Sequence, residues 1–514
     1  MMPPARVLHA HAAAPRHRVA SLVWLLAGVG CCNTVAAQAA GQAWAVTPSA
    51  SVSEAITDNA LLSDADKRAD AITVLTAGVS VIGRGSRATG SLDYQLSGTA
   101  HARESKANRV TQALRAVLRT EVIDDFFFID ASAGISQQII SAFGLQDVTP
   151  GFDNPNRTEV RSFSVTPSLR GRIGSAAVYD ARLSVNRQDS DVTEGDQSSR
   201  TQSLTVSSTP GLRLGWNSTL VRTISESKEG RSTNYDRALI GVTFQPDPSV
   251  RVSLNGGREE NDITTIAGQN NTTWGVTLQW DPSARTQLLA SRERRFFGDA
   301  HALSFVHRGK RTTFRLSSSR DVQTSQPTVN TALTSAYEAF YDLFTVSEPD
   351  PVARERLVRQ FLQARGISPD ALLPVNFLAS GVTLVNRQEA ALTWQGIRSS
   401  AALALSRSNT RRLESSLQLG DDFDTETAVR QEVASLMLGH RLTPVSGLSL
   451  TLSHQRNRGS QTGRTNTTNA VQLNWTAQLG RRSSVSLGAR HVDSDSATSP
   501  YTENALTATL GVRF

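Results

Sequence analysis

Glu503-Asn504-Ala505-Leu506-Thr507-Ala508-Thr509-Leu510-Gly511-Val512-Arg513-Phe514 is the stretch whose pattern decides the fold. From Leu506 onward, Leu506, Ala508, Leu510, Val512 and Phe514 are apolar, and Thr507, Thr509, Gly511 and Arg513 between them are polar or small. Side chains that sort with a period of two line the opposite faces of a β-strand. A single strand of this kind fits the edge of a soluble sheet as well as the wall of a membrane barrel, so the rest of the chain has to choose.

The same period returns throughout. Apolar faces recur at Leu75/Ala77/Val79/Val81, Leu92/Tyr94/Leu96, Leu114/Ala116/Leu118, Phe127/Ile129/Ala131/Ala133, Phe163/Val165/Leu169 and Tyr179/Ala181/Leu183/Val185. They continue at Leu212/Leu214/Trp216, Val250/Val252/Leu254, Trp274/Val276/Leu278/Trp280, Leu403/Leu405, Leu448/Leu450/Leu452 and Val471/Leu473/Trp475. Each run has the length that a tilted strand needs to cross a bilayer. The connections alternate as well. Short ones rich in Gly, Pro, Asp and Ser, such as Gly174-Ser175, Thr209-Pro210-Gly211 and Gly396-Ile397, supply turn geometry. Between them lie longer polar segments, among them Asp147 to Glu159, Arg411 to Thr427 and Asp493 to Tyr501. Short turns at one end and long loops at the other is the outer-membrane arrangement, whereas a soluble sandwich has no reason to alternate so regularly.

The expected fold is all-β: one large transmembrane antiparallel up-and-down β-barrel of about 22 strands, within roughly 18 to 24, with both termini periplasmic. Composition agrees. A chain of 514 residues would ordinarily make two or more soluble domains, but one closed sheet can use its whole length. Hydrophobic residues make up 39% and charged residues 19%, as expected if half of every strand faces a wet lumen. The net charge of +7 rests on arginines spread singly along strands rather than gathered into a nucleic-acid patch. Trp44, Trp216, Trp274, Trp280, Trp394 and Trp475, with Tyr94, Tyr179 and Tyr501, are candidates for the interfacial girdles.

Residues 1–37 form the three parts of a signal peptide: Arg6, Arg16 and Arg18, the apolar run Val19 to Gly30, and the small-residue site Val35-Ala36-Ala37. The apolar run is too short to span a bilayer as a helix. Both cysteines, Cys31 and Cys32, fall in this segment, so a barrel of residues 38–514 has no disulfide and no thiolate chemistry.

One segment breaks the strand period. At about 336–377, Leu357, Val358, Phe361 and Leu362 recur at helical spacing, Asp350-Pro351 reads as a helix start and Arg365-Gly366 as its close. This predicts a helical plug or lid, with a helical cap outside the barrel as the alternative, bearing Asp350, Arg354, Arg356, Arg359, Phe361 and Arg365.

The insertion DPVARERLVRQFLQARG, the following VTLVNRQEAALTWQGIRSS, and the earlier Val46-Thr47-Pro48-Ser49, Thr57-Asp58-Asn59 and Ile82-Gly83-Arg84-Gly85 resemble the outer-membrane β-barrel family associated with the PEP-CTERM/exosortase system. That resemblance, from about Val46 to Phe514, implies an outer-membrane location and a link to exopolysaccharide or to export of sorted proteins. It implies no established activity and no catalytic residues. A last strand that stops on an aromatic residue, here Phe514, likewise resembles the final strand of bacterial outer-membrane barrels, which implies recognition by the barrel-assembly machinery.

No catalytic, cofactor-binding or metal site emerges, and no enzyme activity or cofactor is expected. Ser453-His454 is the nearest pairing of nucleophile and base, but adjacent strand residues point to opposite faces. Asp421-Asp422-Phe423-Asp424 offers clustered oxygens without a full cation ligand set, and a solvated loop is the plainer reading. The chemical signal is inward charge. If the apolar faces point outward, Arg115, Arg119, Arg170, Arg172, Arg182, Arg213, Arg251, Arg315, Arg490 and Arg513 point into the lumen or its rims, against few acids such as Asp93, Asp130, Asp180 and Glu389. Excess lumenal arginine attracts anions. The expected function is a gated conduit or accessory pore in exopolysaccharide export, contacting outer-membrane lipid, acidic polysaccharide or export-system components, and no nucleic acid. The alternative is a non-conducting scaffold that displays polysaccharide or sorted proteins.

Overall fold

The computed structural model describes residues 43–148, 154–192, 196–228, 231–323, 381–413 and 420–514, together with 341, 354, 357–358 and 377–379. The signal segment and, within the insertion, Asp350, Arg356, Arg359, Phe361 and Arg365 lie outside the described residues.

Twenty-two strands make one sheet. They are β1 (Ala43–Thr57), β2 (Asp70–Arg84), β3 (Ala88–His101), β4 (Arg109–Ile123), β5 (Phe127–Ile139), β6 (Arg157–Ile173) and β7 (Ala177–Ser190). Next come β8 (Gln197–Ser208), β9 (Leu214–Ser227), β10 (Thr233–Asp247), β11 (Val250–Asn261), β12 (Gln269–Ser283), β13 (Thr286–Arg295), β14 (Gly298–Arg308) and β15 (Thr312–Gln323). The wall finishes with β16 (Thr383–Gln395), β17 (Ser399–Arg412), β18 (Val429–Thr443), β19 (Ser446–Gly459), β20 (Thr465–Gln478), β21 (Ser483–Ser496) and β22 (Tyr501–Arg513). Every strand pairs antiparallel with its sequence neighbours, and β22 pairs with β1, Leu510 opposite Val52. The sheet is therefore a closed up-and-down barrel, in which each crossing segment satisfies its backbone through its neighbours.

The register places the two rows of each strand as their chemistry demands. Outward stand Leu506, Leu510, Ile240, Leu254, Leu75 and Phe163, all exposed as lone molecules in water would not leave them, Ile240 at 71%. A closed barrel wearing a continuous apolar belt is a membrane-spanning barrel of the outer-membrane kind. Inward stand cross-strand hydroxyl pairs: Ser53 with Thr509 (2.8 Å), Thr76 with Ser97 (2.9 Å), Thr243 with Ser253 (2.9 Å) and Thr468 with Ser494 (3.2 Å). These satisfy one another across the wall and leave the lumen polar.

The belt has a marked lower edge. Trp44, Trp216, Trp280, Trp394 and Trp475 all face outward near the short-turn ends of their strands, and Trp274 marks the other edge. Trp44 lies over Gly83 of the next strand, so close that a Cβ there would overlap its ring. Tyr501 departs from the girdle expectation. It shares the inward row of Glu503 and Ala505 and is 2% exposed, because its ring packs inside the barrel and its hydroxyl meets a carbonyl there.

Turn chemistry follows the expected alternation. Gly174 and Gly211 take positive φ (58° and 94°) in turns at the short end, where other residues would be strained. Several strands run further into the long polar segments than their composition suggests, since β8 starts at Gln197 and β18 ends its ladder beside Gly459 of β19. Above the bilayer both faces of a strand are wet, so polar residues no longer mark its end.

Candidate functional site

The lumen has two different mouths. At the long-loop end, chain segments fold inward and meet. Residues 140–148, between β5 and β6, are tied to inward side chains on distant strands and to the β21–β22 loop: Asn457 Nδ2 donates to the Ala142 carbonyl (2.7 Å), Asn466 Nδ2 to Gly144 (2.9 Å), Thr498 Oγ1 of the loop to Phe143 (3.1 Å) and Tyr501 OH to Gln146 (2.5 Å). The Asp422 carboxylate accepts from Ser141 Oγ (2.6 Å) and the Ala142 amide (2.7 Å). Burial pushes this carboxyl above its ordinary value, and the two hydrogen bonds oppose that shift.

Apolar packing seals the same place. Ile139, Ala142, Phe143, Phe377, Phe423 and Val429 form one buried cluster. A second comprises Ala60, Leu62, Ile72, Leu145, Ala470, Val492 and Tyr501. A barrel lumen has no other reason to hold oily clusters, and each removes its members from water on closure of the loop. Arg464 adds a guanidinium over the Phe143 ring, 4.8 Å from its centroid.

Leu378 donates its amide to the Ile139 carbonyl (3.0 Å), and the chain then enters β16 at Thr383. From Leu378 to Thr383 an extended chain reaches at most roughly 18 Å. β5 and β16 are half a ring apart in the strand order. A circular ring of this many strands at about 4.8 Å spacing would be about 34 Å across even without tilt. The wall is therefore drawn inward along this line, and the long-loop mouth is constricted by shape as well as by filling.

The acidic run at Asp421 to Asp424 is consumed here. Arg412 pairs with Asp421 and, at 3.0 Å, with Asp424, while Asp422 holds the inward loop. Its carboxylates are engaged by protein donors rather than by solvent. Of the insertion residues, Arg354 is buried and stacks on the Tyr341 ring (4.8 Å), and Val358 is fully buried.

Seven of the lumenal arginines fall into three groups. Arg119, Arg170 and Arg182 come together on β4, β6 and β7, interleaved with acids: Arg119–Asp130 2.7 Å, Arg170–Asp180 3.1 Å and Arg182–Asp180 2.6 Å. Arg170 also stacks on Phe128 (4.9 Å). Arg490 is locked near the other end, buried against Glu503 (2.6 Å), whose carboxylate also accepts from Thr57 (3.0 Å). Arg172, Arg213 and Arg251 remain exposed at the short-turn mouth without a carboxylate partner among the described residues. Arg115 faces the lumen opposite Asp93 in the register, and Arg315 opposite Ala391.

A buried ionic knot on β10 to β15 was not anticipated. Glu259, wholly buried, takes Arg237 (3.2 Å), Arg295 and the Tyr235 hydroxyl (3.1 Å), and Arg237 reaches Glu293 (2.8 Å). It braces the two-residue Phe296-Phe297 turn, whose division between strands the sequence leaves open. Ser453 and His454 do face opposite ways, His454 Nδ1 meeting Asn469 Oδ1 outside at 2.7 Å. Among the described residues no three His, Cys, Asp or Glu side chains converge to hold a metal ion.

The fold thus defines a membrane-spanning β-barrel with inward-folded segments at one mouth and exposed arginines at the other. No protein-family model matches the chain, and no curated protein matches it. Among solved structures it is similar to the FrpB iron transporter of Neisseria meningitidis (TM-score 0.46, 10% identity, 91% of this chain and 82% of that one). It is also similar to the siderophore receptor PirA of Pseudomonas aeruginosa (0.41, 10%, 91% and 80%) and to the outer membrane protein opdK of the same organism (0.34, 9%, 91% and 99%).

Proposed function

We propose that this barrel is a gated conduit for an anionic polymer across the Gram-negative outer membrane, with short turns and termini in the periplasm. The observation that carries the reading is the asymmetry of the lumen: arginines without acid partners at the short-turn mouth, and a bonded, apolar closure at the other. An anion entering from the periplasm meets Arg172, Arg213 and Arg251 first, then the Arg119/Arg170/Arg182 group, whose acids keep its hold weak enough for release. The inward loop is the gate. The sequence resemblance to the exosortase-associated barrels supplies the pathway, exopolysaccharide export, as part of this proposal.

Conductance in planar bilayers tests it. The native barrel is expected to be mostly closed, and to show anion preference when it opens. Replacing Arg172, Arg213 and Arg251 by Gln should shift the reversal potential toward zero selectivity; an unchanged potential rejects the anion path. A barrel that stays closed when residues 140–148 are released is instead a scaffold. Orientation is read separately by labelling Ala497→Cys, in the exposed β21–β22 loop, with an impermeant maleimide on whole cells.

A further inference from the structure

Outward arginines above the apolar belt are mostly paired: Arg161 with Glu159 (2.7 Å), Arg187 with Asp189 (3.0 Å), and Arg292 and Arg294 with Asp299 (3.2 and 3.3 Å). Strands β17 to β19 are different. Reading up their outer face, the register gives rows Leu403–Leu436–Leu452, then Leu405–Ala434–His454, then Arg407–Glu432–Arg456, then Asn409–Arg430–Arg458. The oily belt thus gives way within two rows to arginine. Arg430 and Arg458 stand directly opposite each other across the strand pair, and like charges so placed repel. The one acid in the rows, Glu432, takes Arg407 at 3.4 Å. Arg430, Arg456 and Arg458 are exposed and have no carboxylate within ion-pair distance among the described residues. An uncompensated cluster of this kind at the edge of a hydrocarbon belt is complementary to anions held at that depth.

We propose that this face of β17–β19 binds the phosphates of an outer-leaflet glycolipid, whose acyl chains lie along Leu403, Leu436 and Leu452 while its phosphates bridge Arg430, Arg456 and Arg458. Guanidinium forks bind phosphate bidentately, and the belt below holds the tails of the same molecule. A free phosphate would use only the upper half of the surface. The proposal rests on the orientation given above, which puts the long loops outside.

The test uses the full barrel folded in detergent, with a bisphosphorylated lipid A, its dephosphorylated counterpart and inorganic phosphate as probes. Native protein is expected to retain the phosphorylated lipid through gel filtration, and the Arg430→Gln/Arg456→Gln/Arg458→Gln variant to bind it at least about tenfold more weakly, each lost charge-assisted contact contributing. Arg292→Gln/Arg294→Gln, on the paired face, should bind like the native protein. Heat-modifiable migration on gels reports whether each variant is folded; should the triple variant fail to fold, Arg458→Gln alone is expected to weaken binding measurably. Equal binding by the arginine variants, equal binding of dephosphorylated lipid, or inorganic phosphate binding as tightly as the lipid would each overturn the proposal. Binding in detergent does not depend on orientation, so cell labelling of the loop cysteine fails or succeeds independently of it.

Discussion

Removing Phe143 should unlatch the inward loop without opening the wall. Its ring is 2% exposed and sits among Ile139, Phe377, Phe423 and Val429, and deletion of a buried Phe side chain costs about 3–5 kcal/mol through lost transfer and the cavity left behind. Because the released loop faces a wet lumen, that cost falls on docking rather than on the barrel, whose ladders do not involve residues 140–148. At about 1.4 kcal/mol per tenfold, the undocked population rises by roughly two to four powers of ten. Asn457→Ala, which removes one bond to the Ala142 carbonyl, should give about 1 kcal/mol, or roughly fivefold. Hydrogen exchange at the Ala142 amide, held by Asp422, reads docking directly, and single-channel recording reads its consequence. Protection should fall by those factors and open events should become frequent in the same order, Phe143→Ala above Asn457→Ala. Loss of protection with silent bilayers would refute gating by this loop. Unchanged protection would refute the packing argument itself.

Closure should also depend on pH. Burial raises the Asp422 carboxyl in the docked loop, so the docked state keeps its proton to higher pH than the released one. Docking is then fully favoured below the ordinary carboxylate value and weakens as pH rises through the raised one, so open probability should climb from acid toward neutral pH, and Asp422→Asn should flatten that slope. On the belt, Leu510→Arg should cost about 2–4 kcal/mol and lower assembly yield, whereas Thr509→Arg, one residue away on the inward row, should assemble normally; equal yields would break the facing assignment. Gly83→Val should displace the Trp44 ring and destabilise the folded barrel by about 1 kcal/mol in urea titrations, and Trp44→Ala in the same chain should relieve the strain.

The wall was legible from residue order because lipid and water impose one rule on every strand, and Leu506 to Phe514 states it in nine positions. Parity from that same run also places Tyr501 inside, with Glu503 and Ala505, although its position near a strand end suggests a girdle. The closing segments were harder to see. Ala142, Phe143 and Leu145 lie at the start of the β5–β6 connection, and apolar residues gathered in a supposed exterior loop were the available signal that it turns inward. Their partners Phe377, Phe423 and Tyr501 are far along the chain, and no local period links them. The pairing of Arg119, Arg170 and Arg182 with Asp130 and Asp180 depends on register, which a list of inward residues does not contain.

Because β22 is zipped to β1, the sheet offers no unpaired ribbon to a visiting chain. Recruitment by strand addition, the commonest way an extended peptide attaches to a sheet, is closed to any protein that meets this one from the side. Any partner protein must recognise side chains at one rim or the other. Loops there can change allegiance over evolutionary time while the hydrogen-bonded cylinder beneath them stays the same.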